Sequence, residues 1–143
     1  GKGATIALAV GAGQSRRYGN PVSGPWKVLR LGDGSFTGVG PMYRGNPIAL
    51  GPVALLERDG VRVIIAPRKM QASEPGLLLH LGIDPQTVPI LVLKSSVHFR
   101  GAYQDIARAI IPALAPGLVE ADLSRLAYAR ALRKPARSHP SQP

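Results

Sequence analysis

Hydrophobic and polar residues alternate in the first part of the chain with the period of two that is typical of β-strands. Ile6, Leu8 and Val10 alternate with small or polar residues, which predicts a half-buried strand near the N-terminus. Residues 11–25 are rich in glycine, serine and proline, so we expect a loop there. The chain therefore opens with a strand and a long connection.

Two pairs of apolar runs follow, and each pair flanks an Asp-Gly turn of the kind that joins the strands of a hairpin. The predicted hairpins are residues 26–31 with 35–39, and residues 53–57 with 61–66. Between them, residues 40–51 contain two prolines and three glycines and are predicted to be a loop. The first half is thus mostly antiparallel β.

The pattern changes in the second half of the chain. Ser73 and Glu74 open a predicted helical turn that ends at Gly82, and the continuous apolar run of residues 90–93 predicts a strand buried on both faces. From residue 99 to 111 apolar residues recur at helical spacing, with Ser95 or Ser96 as the natural N-cap. The pattern predicts an α+β domain with a mixed, mostly antiparallel sheet, hairpins first and helix-strand-helix second.

Length and composition favour one independently folding domain. A chain of 143 residues with 45% hydrophobic content suits a single domain over residues 1–133, followed by a basic Pro/Ser-rich tail at 134–143 that is predicted to be disordered. Gly1 suggests a cut or processed end, because the Gly1-Lys2-Gly3 start has neither the apolar core of a signal peptide nor an initiating Met, and no apolar stretch approaches the length of a membrane span. With no cysteine, the chain suits a reducing compartment, and we expect it to be cytoplasmic.

The net charge of +10 raises the question of nucleic-acid binding. The basic residues are scattered along the chain, with short pairs such as Arg16-Arg17 and Arg133-Lys134, and no aromatic ladder lies among them. Much of the excess falls after Leu123, where there is no acidic residue. A generally basic surface with a basic tail therefore explains the charge better than a nucleic-acid site.

The histidines do not form a metal motif. His80, His98 and His139 lie too far apart for the i, i+4 spacing that places two ligands on one helical face. His80 follows three leucines and is predicted to be structural, and His139 lies in the polar tail. No metal is expected in this chain.

Two other catalytic patterns are also incomplete. Residues 11–16 follow a strand as a dinucleotide fingerprint would, but Arg16 replaces the third glycine and no helix pattern comes after it. No glycine elbow surrounds Ser95 or Ser96, and His98 is too near in sequence for a Ser-His-acid relay to be expected. We predict no catalytic residue here.

Polar groups do gather where the predicted strand 90–93 meets the predicted helix. The candidate residues for contact with substrate or another anion are Lys94, Ser95, Ser96, His98 and Arg100. A strand-to-helix junction offers unpaired amides and the positive end of a helix dipole, which suit a carboxylate. The alternative is that the cations are merely solvated, a serine caps the helix and the imidazole packs against the sheet end.

These residues are also part of a longer pattern that resembles a known family. In order, the chain has Asp33-Gly34-Ser35-Phe36, Gly40-Pro41-Met42, Gln71, Gly-Ile-Asp-Pro at 82–85, Lys94-Ser95, His98-Phe99-Arg100, Ala115-Pro116-Gly117, Asp122-Leu123 and Tyr128. This order closely resembles the C-terminal domain of the MlrC (microcystinase C) family of zinc metallopeptidases over nearly the whole chain. The most specific part of the resemblance is Lys94-Ser95 followed, after two residues, by His98-Phe99-Arg100.

The resemblance implies the C-terminal, substrate-contacting domain of a bacterial MlrC-like enzyme that hydrolyses small or linearised peptides, as in microcystin degradation. In that family zinc and its ligands lie in an N-terminal domain that this chain does not contain, so that domain and a peptide substrate are the expected partners. The isolated domain is expected to be inactive. A basic interaction domain, or a scaffolding domain with no direct role in hydrolysis, is the alternative.

Overall fold

The computed structural model describes residues 1–11 and 19–113. Its strands are β1 (Thr5–Val10), β2 (Val22–Gly32), β3 (Ser35–Thr37), β4 (Pro47–Ala49), β5 (Val53–Arg58) and β6 (Val61–Ile65). The helical elements are α1 (Gly76–Leu79), a 3₁₀ turn (Pro85–Thr87) and α2 (Arg100–Tyr103). The predicted α+β class is confirmed, and all the strand pairs in the described ranges are antiparallel.

The main sheet has the strand order β1-β2-β5-β6. β1 forms where the alternation predicts it, and it pairs along its whole length with the first half of β2, Val10 opposite Val22. β2 begins inside the predicted loop 11–25, because this pairing extends the strand backwards from Trp26. The loop prediction is therefore wrong for its last residues.

The second predicted hairpin is confirmed. β5 and β6 pair from Ala54 opposite Ile65 to Arg58 opposite Val61. Asp59 and Gly60 connect them with φ angles of 51° and 79°, the left-handed conformation that a two-residue hairpin turn requires at both positions. The Asp-Gly dipeptide is a correct signal because these two residue types tolerate that conformation.

The first predicted hairpin is wrong in its pairing. The half of β2 that the hairpin would use, Lys27 to Gly32, pairs with β5 instead of β3. β3 pairs instead with β4, which lies within the predicted loop 40–51, and Phe36 lies opposite Ile48. The Asp33 carboxylate accepts a hydrogen bond from the Ser35 amide at 2.9 Å, which turns the chain between the two sheets.

The core lies against both faces of β5, the most buried strand. Residues of a strand point alternately to opposite faces, and one cluster contains Val53 and Leu55 while the other contains Leu56. The buried members of the first cluster are Leu50, Val53, Leu55 and Leu81, and those of the second are Trp26, Val28 and Leu56. β5 thus joins two apolar layers that its neighbours complete.

α1 covers the first of these layers, and the turn that follows it closes at Gly82, as predicted. The Gly82 amide donates to the Leu79 carbonyl at 2.8 Å and the Ile83 amide to the Leu78 carbonyl at 3.1 Å, the Schellman pattern of a helix C-terminus. His80 is structural, as expected: its Nδ1 lies 2.9 Å from the Gly76 carbonyl oxygen and its ring stacks on Phe36.

Residues 88–111 contradict the predicted strand and long helix. Residues 90–93 form no strand, and Ile90 and Val92 are 83% and 87% exposed. α2 is a single turn, and Ile111, placed on its predicted apolar stripe, is 85% exposed. The part of the chain that the structure describes offers no second surface over these side chains, so the apolar pattern alone does not produce the elements.

One buried carboxylate ties the loop after β3 to the start of α1. Glu74 is fully buried, and its Oε1 accepts hydrogen bonds from the amides of Val39 at 2.8 Å and Gly76 at 2.9 Å. The Gly40 amide lies 3.1 Å from Oε1 and 3.0 Å from Oε2. The sequence predicts that Glu74 opens a helical turn, and its bond to Gly76 agrees with that, but the bonds to the distant loop are not predicted.

Several predictions fall outside the described residues. They concern residues 12–16, where the dinucleotide fingerprint is incomplete, the matches at 115–117, 122–123 and 128, and the tail 134–143. The division into a domain at 1–133 and a tail stays a prediction.

We expect Glu74→Gln to lower the free energy of unfolding by about 2 to 4 kcal/mol, because an amide nitrogen would replace one acceptor oxygen among buried backbone donors. The matched control is Glu57→Gln, which removes a partly exposed ion pair to Arg62 and should cost less than about 1 kcal/mol. Urea unfolding of both variants measures the difference. Equal losses in the two variants would contradict the anchoring role of Glu74.

Candidate functional site

Three segments meet around Glu74 and bring the candidate residues to one region of the surface. They are the loop 38–42, residues 70–74 before α1, and residues 94–104, which include α2. The Ser73 hydroxyl lies 3.5 Å from the Met42 sulfur, linking the first two segments. The second and third segments are linked by Gln71.

Gln71 holds Ser95 and His98 together. Its Nε2 lies 3.4 Å from the Ser95 Oγ and 2.9 Å from the His98 Nδ1, while its Oε1 lies 3.2 Å from the same Nδ1. The shorter contact favours the amide as donor to Nδ1, which would leave the His98 Nε2–H as an outward donor. We call these three residues the Gln71 cluster.

Ser95 also supports the start of α2. Its Oγ accepts a hydrogen bond from the Phe99 amide at 3.3 Å, four residues further along the chain. This bond satisfies one of the amides that the short helix leaves unpaired, so the predicted capping role is partly correct. The N-cap position itself is held by Phe99, whose side chain makes no capping hydrogen bond.

The other predicted site residues are less constrained. Lys94 and Ser96 are exposed and make no hydrogen bond or ion pair within residues 1–11 and 19–113. Arg100 is exposed, with its guanidinium 5.4 Å from the centre of the Phe99 ring and its Nη1 3.4 Å from the Gln104 Oε1. The structure therefore gathers Ser95 and His98 through Gln71, while Lys94, Ser96 and Arg100 stay outside this hydrogen-bonded group.

The prediction of an anion site at a strand end and helix dipole is wrong. No strand precedes residue 94 directly, and α2 has four residues, so a strand edge with a long helix dipole behind it is not formed. Any affinity of this region for an anion must come from the side chains themselves. The amide and hydroxyl of the Gln71 cluster are neutral, so the charges available are those of Lys94 and Arg100.

Sequence reasoning missed two residues that organise this region. Gln71 enters only as a position within the resemblance, and no pattern around a single glutamine shows that it will bridge a serine and a histidine more than twenty positions away. Tyr103 falls on the apolar stripe of the predicted helix. It is buried, and burial together with the negative charge of Glu74 raises its pKa to about 12.

The described residues contain no group of three or more His, Cys, Asp or Glu side chains that could hold a metal ion. An open apolar depression at the ends of β2, β5 and β6 is lined by residues such as Leu31, Ile65 and Pro67, and no residue of the Gln71 cluster lines it. Within the described ranges, no helix has the length and hydropathy of a membrane span.

These features define a small α+β domain with a polar surface cluster. The chain matches the family described as MlrC C-terminus over residues 1–130 and belongs to that family. It is 26% identical over 111 residues to Microcystinase C of a Sphingomonas species, a match covering 78% of this chain and 21% of that protein. The resemblance seen in the sequence is therefore confirmed.

A solved structure also matches this chain. A crystal structure of a candidate metallopeptidase from Mesorhizobium sp. BNC1 is 29% identical, with a TM-score of 0.67, and the match covers 76% of this chain and 22% of that chain. The chain thus spans about a fifth of the length of the relatives it matches. It is a domain of a peptidase-family protein.

We expect the stability of the protein to fall as pH rises from 10 to 12, and Tyr103→Phe to remove part of that fall. The folded state raises the Tyr103 pKa from 10.0 to about 12, so it keeps a phenol proton that the unfolded chain releases in this window. The difference between these two pKa values corresponds to a loss of roughly 2 to 3 kcal/mol in the free energy of unfolding once Tyr103 is deprotonated in both states.

Urea unfolding at pH 9, 10, 11 and 12 measures this effect. Tyr43→Phe, which changes a half-buried tyrosine in the loop before β4, is the matched control and should keep the wild-type pH dependence. Parallel curves for wild type and Tyr103→Phe would show that the phenol proton of Tyr103 is not coupled to folding.

Proposed function

We propose that this chain is the substrate-contacting C-terminal domain of an MlrC-like zinc metallopeptidase that hydrolyses small or linearised peptides. Its partners in this proposal are the preceding, metal-bearing domain of the same protein and the peptide. The lack of cysteine agrees with a cytoplasmic location in a bacterium.

The observation that carries this proposal is the Gln71 cluster. Ser95 and His98 belong to the family signature, and Gln71 fixes both side chains although they lie in a segment without regular structure. Fixing exposed polar groups costs conformational entropy. A purely scaffolding domain gains little from ordering an exposed imidazole, whereas a domain that orients a substrate gains directly.

Lys94 and Arg100 are positively charged and lie close in sequence to Ser95 and His98. An exposed cation that meets a carboxylate in water gains at most about 1 kcal/mol, since solvent screens the pair. The same contact becomes stronger when water is excluded. The proposal therefore requires that the peptide, or the preceding domain, covers these side chains when the substrate is bound.

The metal is assigned to the preceding domain. The described residues offer no set of zinc ligands, and the part matched by this chain makes up 21% and 22% of the two relatives. Zinc would there polarise the scissile carbonyl and activate water. The contribution of this chain is to hold and orient the peptide, most simply through a carboxylate of the substrate, and the 143-residue chain alone should show no peptidase turnover.

We expect Lys94→Ala, His98→Ala and Arg100→Ala, made in the full-length protein, each to raise KM for short peptides about tenfold, because a charge-assisted contact of about 1 to 2 kcal/mol is lost. Peptides with a free C-terminal carboxylate should be affected more than their C-terminal amides. The zinc content of the protein should stay unchanged, because these side chains do not hold the metal.

Lys2→Ala and Arg62→Ala are the matched controls, since both remove an exposed cation from another part of the chain. If the three variants turn over free and amidated peptides like the wild type while remaining folded, the domain is a scaffold. Salt-sensitive binding of nucleic acid that disappears when residues 134–143 are deleted would instead favour a basic interaction domain.

A further inference from the structure

Residues 88–93 form the most exposed apolar stretch of the described chain. They carry no charged side chain, and Ile90 and Val92 are 83% and 87% exposed, against 61% for Val61, an exposed hydrophobic residue at the edge of the sheet. Leu91 and Leu93, between and after them, are half-buried. One side of the stretch therefore packs on the domain and the other faces outward.

Within the described ranges, the backbone of this stretch is also unpaired. Val88 is extended, with φ −85° and ψ 117°, and alternating exposure from residue 90 to 93 is the pattern of an extended chain. Among the backbone hydrogen bonds of residues 1–11 and 19–113, none involves residues 90–93. An extended, uncharged segment with open amides and carbonyls is a template for pairing with another strand.

We propose that residues 88–93 are a docking segment that adds as a strand to the metal-bearing domain of the same protein, with Ile90 and Val92 entering apolar pockets on that domain. This inference rests on the proposed function, because it takes the preceding domain as the partner. Pairing of the open backbone gives the affinity, and the two side chains give the register.

Two observations select this partner. The match covers 21% and 22% of the two relatives, so most of each relative lies outside the part it shares with this chain. The docking segment also runs directly into Lys94 and Ser95, so a surface that covers Val92 must lie beside the Gln71 cluster. One contact would then both join the domains and exclude water from the residues that hold the peptide.

Hydrogen exchange tests the proposal on the wild-type protein. In the 143-residue chain the amides of residues 90–93 should exchange within a few-fold of the rate of an unstructured peptide. In the full-length protein they should exchange at least about 100-fold more slowly, because they pair with the other domain. Equally fast exchange in both forms overturns the proposal, and so does protection in the short chain that appears only as it dimerises.

The double variant Ile90→Lys, Val92→Lys tests the side chains in the full-length protein. It should lose the protection of residues 90–93 while the amides of β5 stay protected, which shows that the domain itself remains folded. Val61→Lys is the matched control and should leave the docking segment protected. Protection that survives the double variant overturns the assignment of Ile90 and Val92.

The two proposals fail in distinguishable ways. If residues 90–93 are unprotected in the full-length protein but Lys94→Ala still raises KM, the docking segment is wrong and the substrate contact stands. If they are protected while Lys94→Ala, His98→Ala and Arg100→Ala leave KM unchanged, the domains dock as proposed and the substrate contact is wrong.

Discussion

The carboxylate of Glu74 is the constraint on which the site region depends. A buried carboxylate is costly unless donors surround it, and here the amides of Val39, Gly40 and Gly76 point at its two oxygens. The approach is close: a Cβ on Gly40 would lie 2.9 Å from Oε2. Because Glu74 fixes the loop after β3 and the start of α1 together, it also fixes Gln71 and Ser73 just before it, and with them the place where residues 94–104 pack.

The elements that can be predicted from the sequence are those whose signals are local. The Asp59-Gly60 turn and the alternation in β1 depend on the chain's own conformational preferences, and both predictions are confirmed. β3 pairs with β4 while the second half of β2 pairs with β5, a choice of distant partners that no local pattern reveals. The same holds for Glu74, whose partners in the loop lie more than thirty positions away and are backbone amides that carry no side-chain signal.

In the candidate site, too, residues with a local signal are predicted and tertiary contacts are not. Lys94, Ser95, His98 and Arg100 are candidates because polar residues follow an apolar run, and the structure brings two of them together. It does so through Gln71 rather than through a strand edge and a helix dipole. A glutamine bridging Ser95 and His98 is a tertiary contact, and only the resemblance marks that position. Residue types are thus predictable where the family signature names them, and their geometry is not.

The sequence pattern predicts a buried strand at residues 90–93, and the structure shows none. The prediction fails because a local pattern does not show which surface covers the side chains, and the failure is itself informative. A continuous apolar run is typical of a strand that is covered on both faces. Within the described chain, Leu91 and Leu93 are partly covered while Ile90 and Val92 face outward. A sequence is selected for burial in the assembled protein, whereas the structure of one domain shows only the burial that this domain supplies. The outward pair therefore marks a face that the described residues leave uncovered, and this is the face that the proposed docking segment uses.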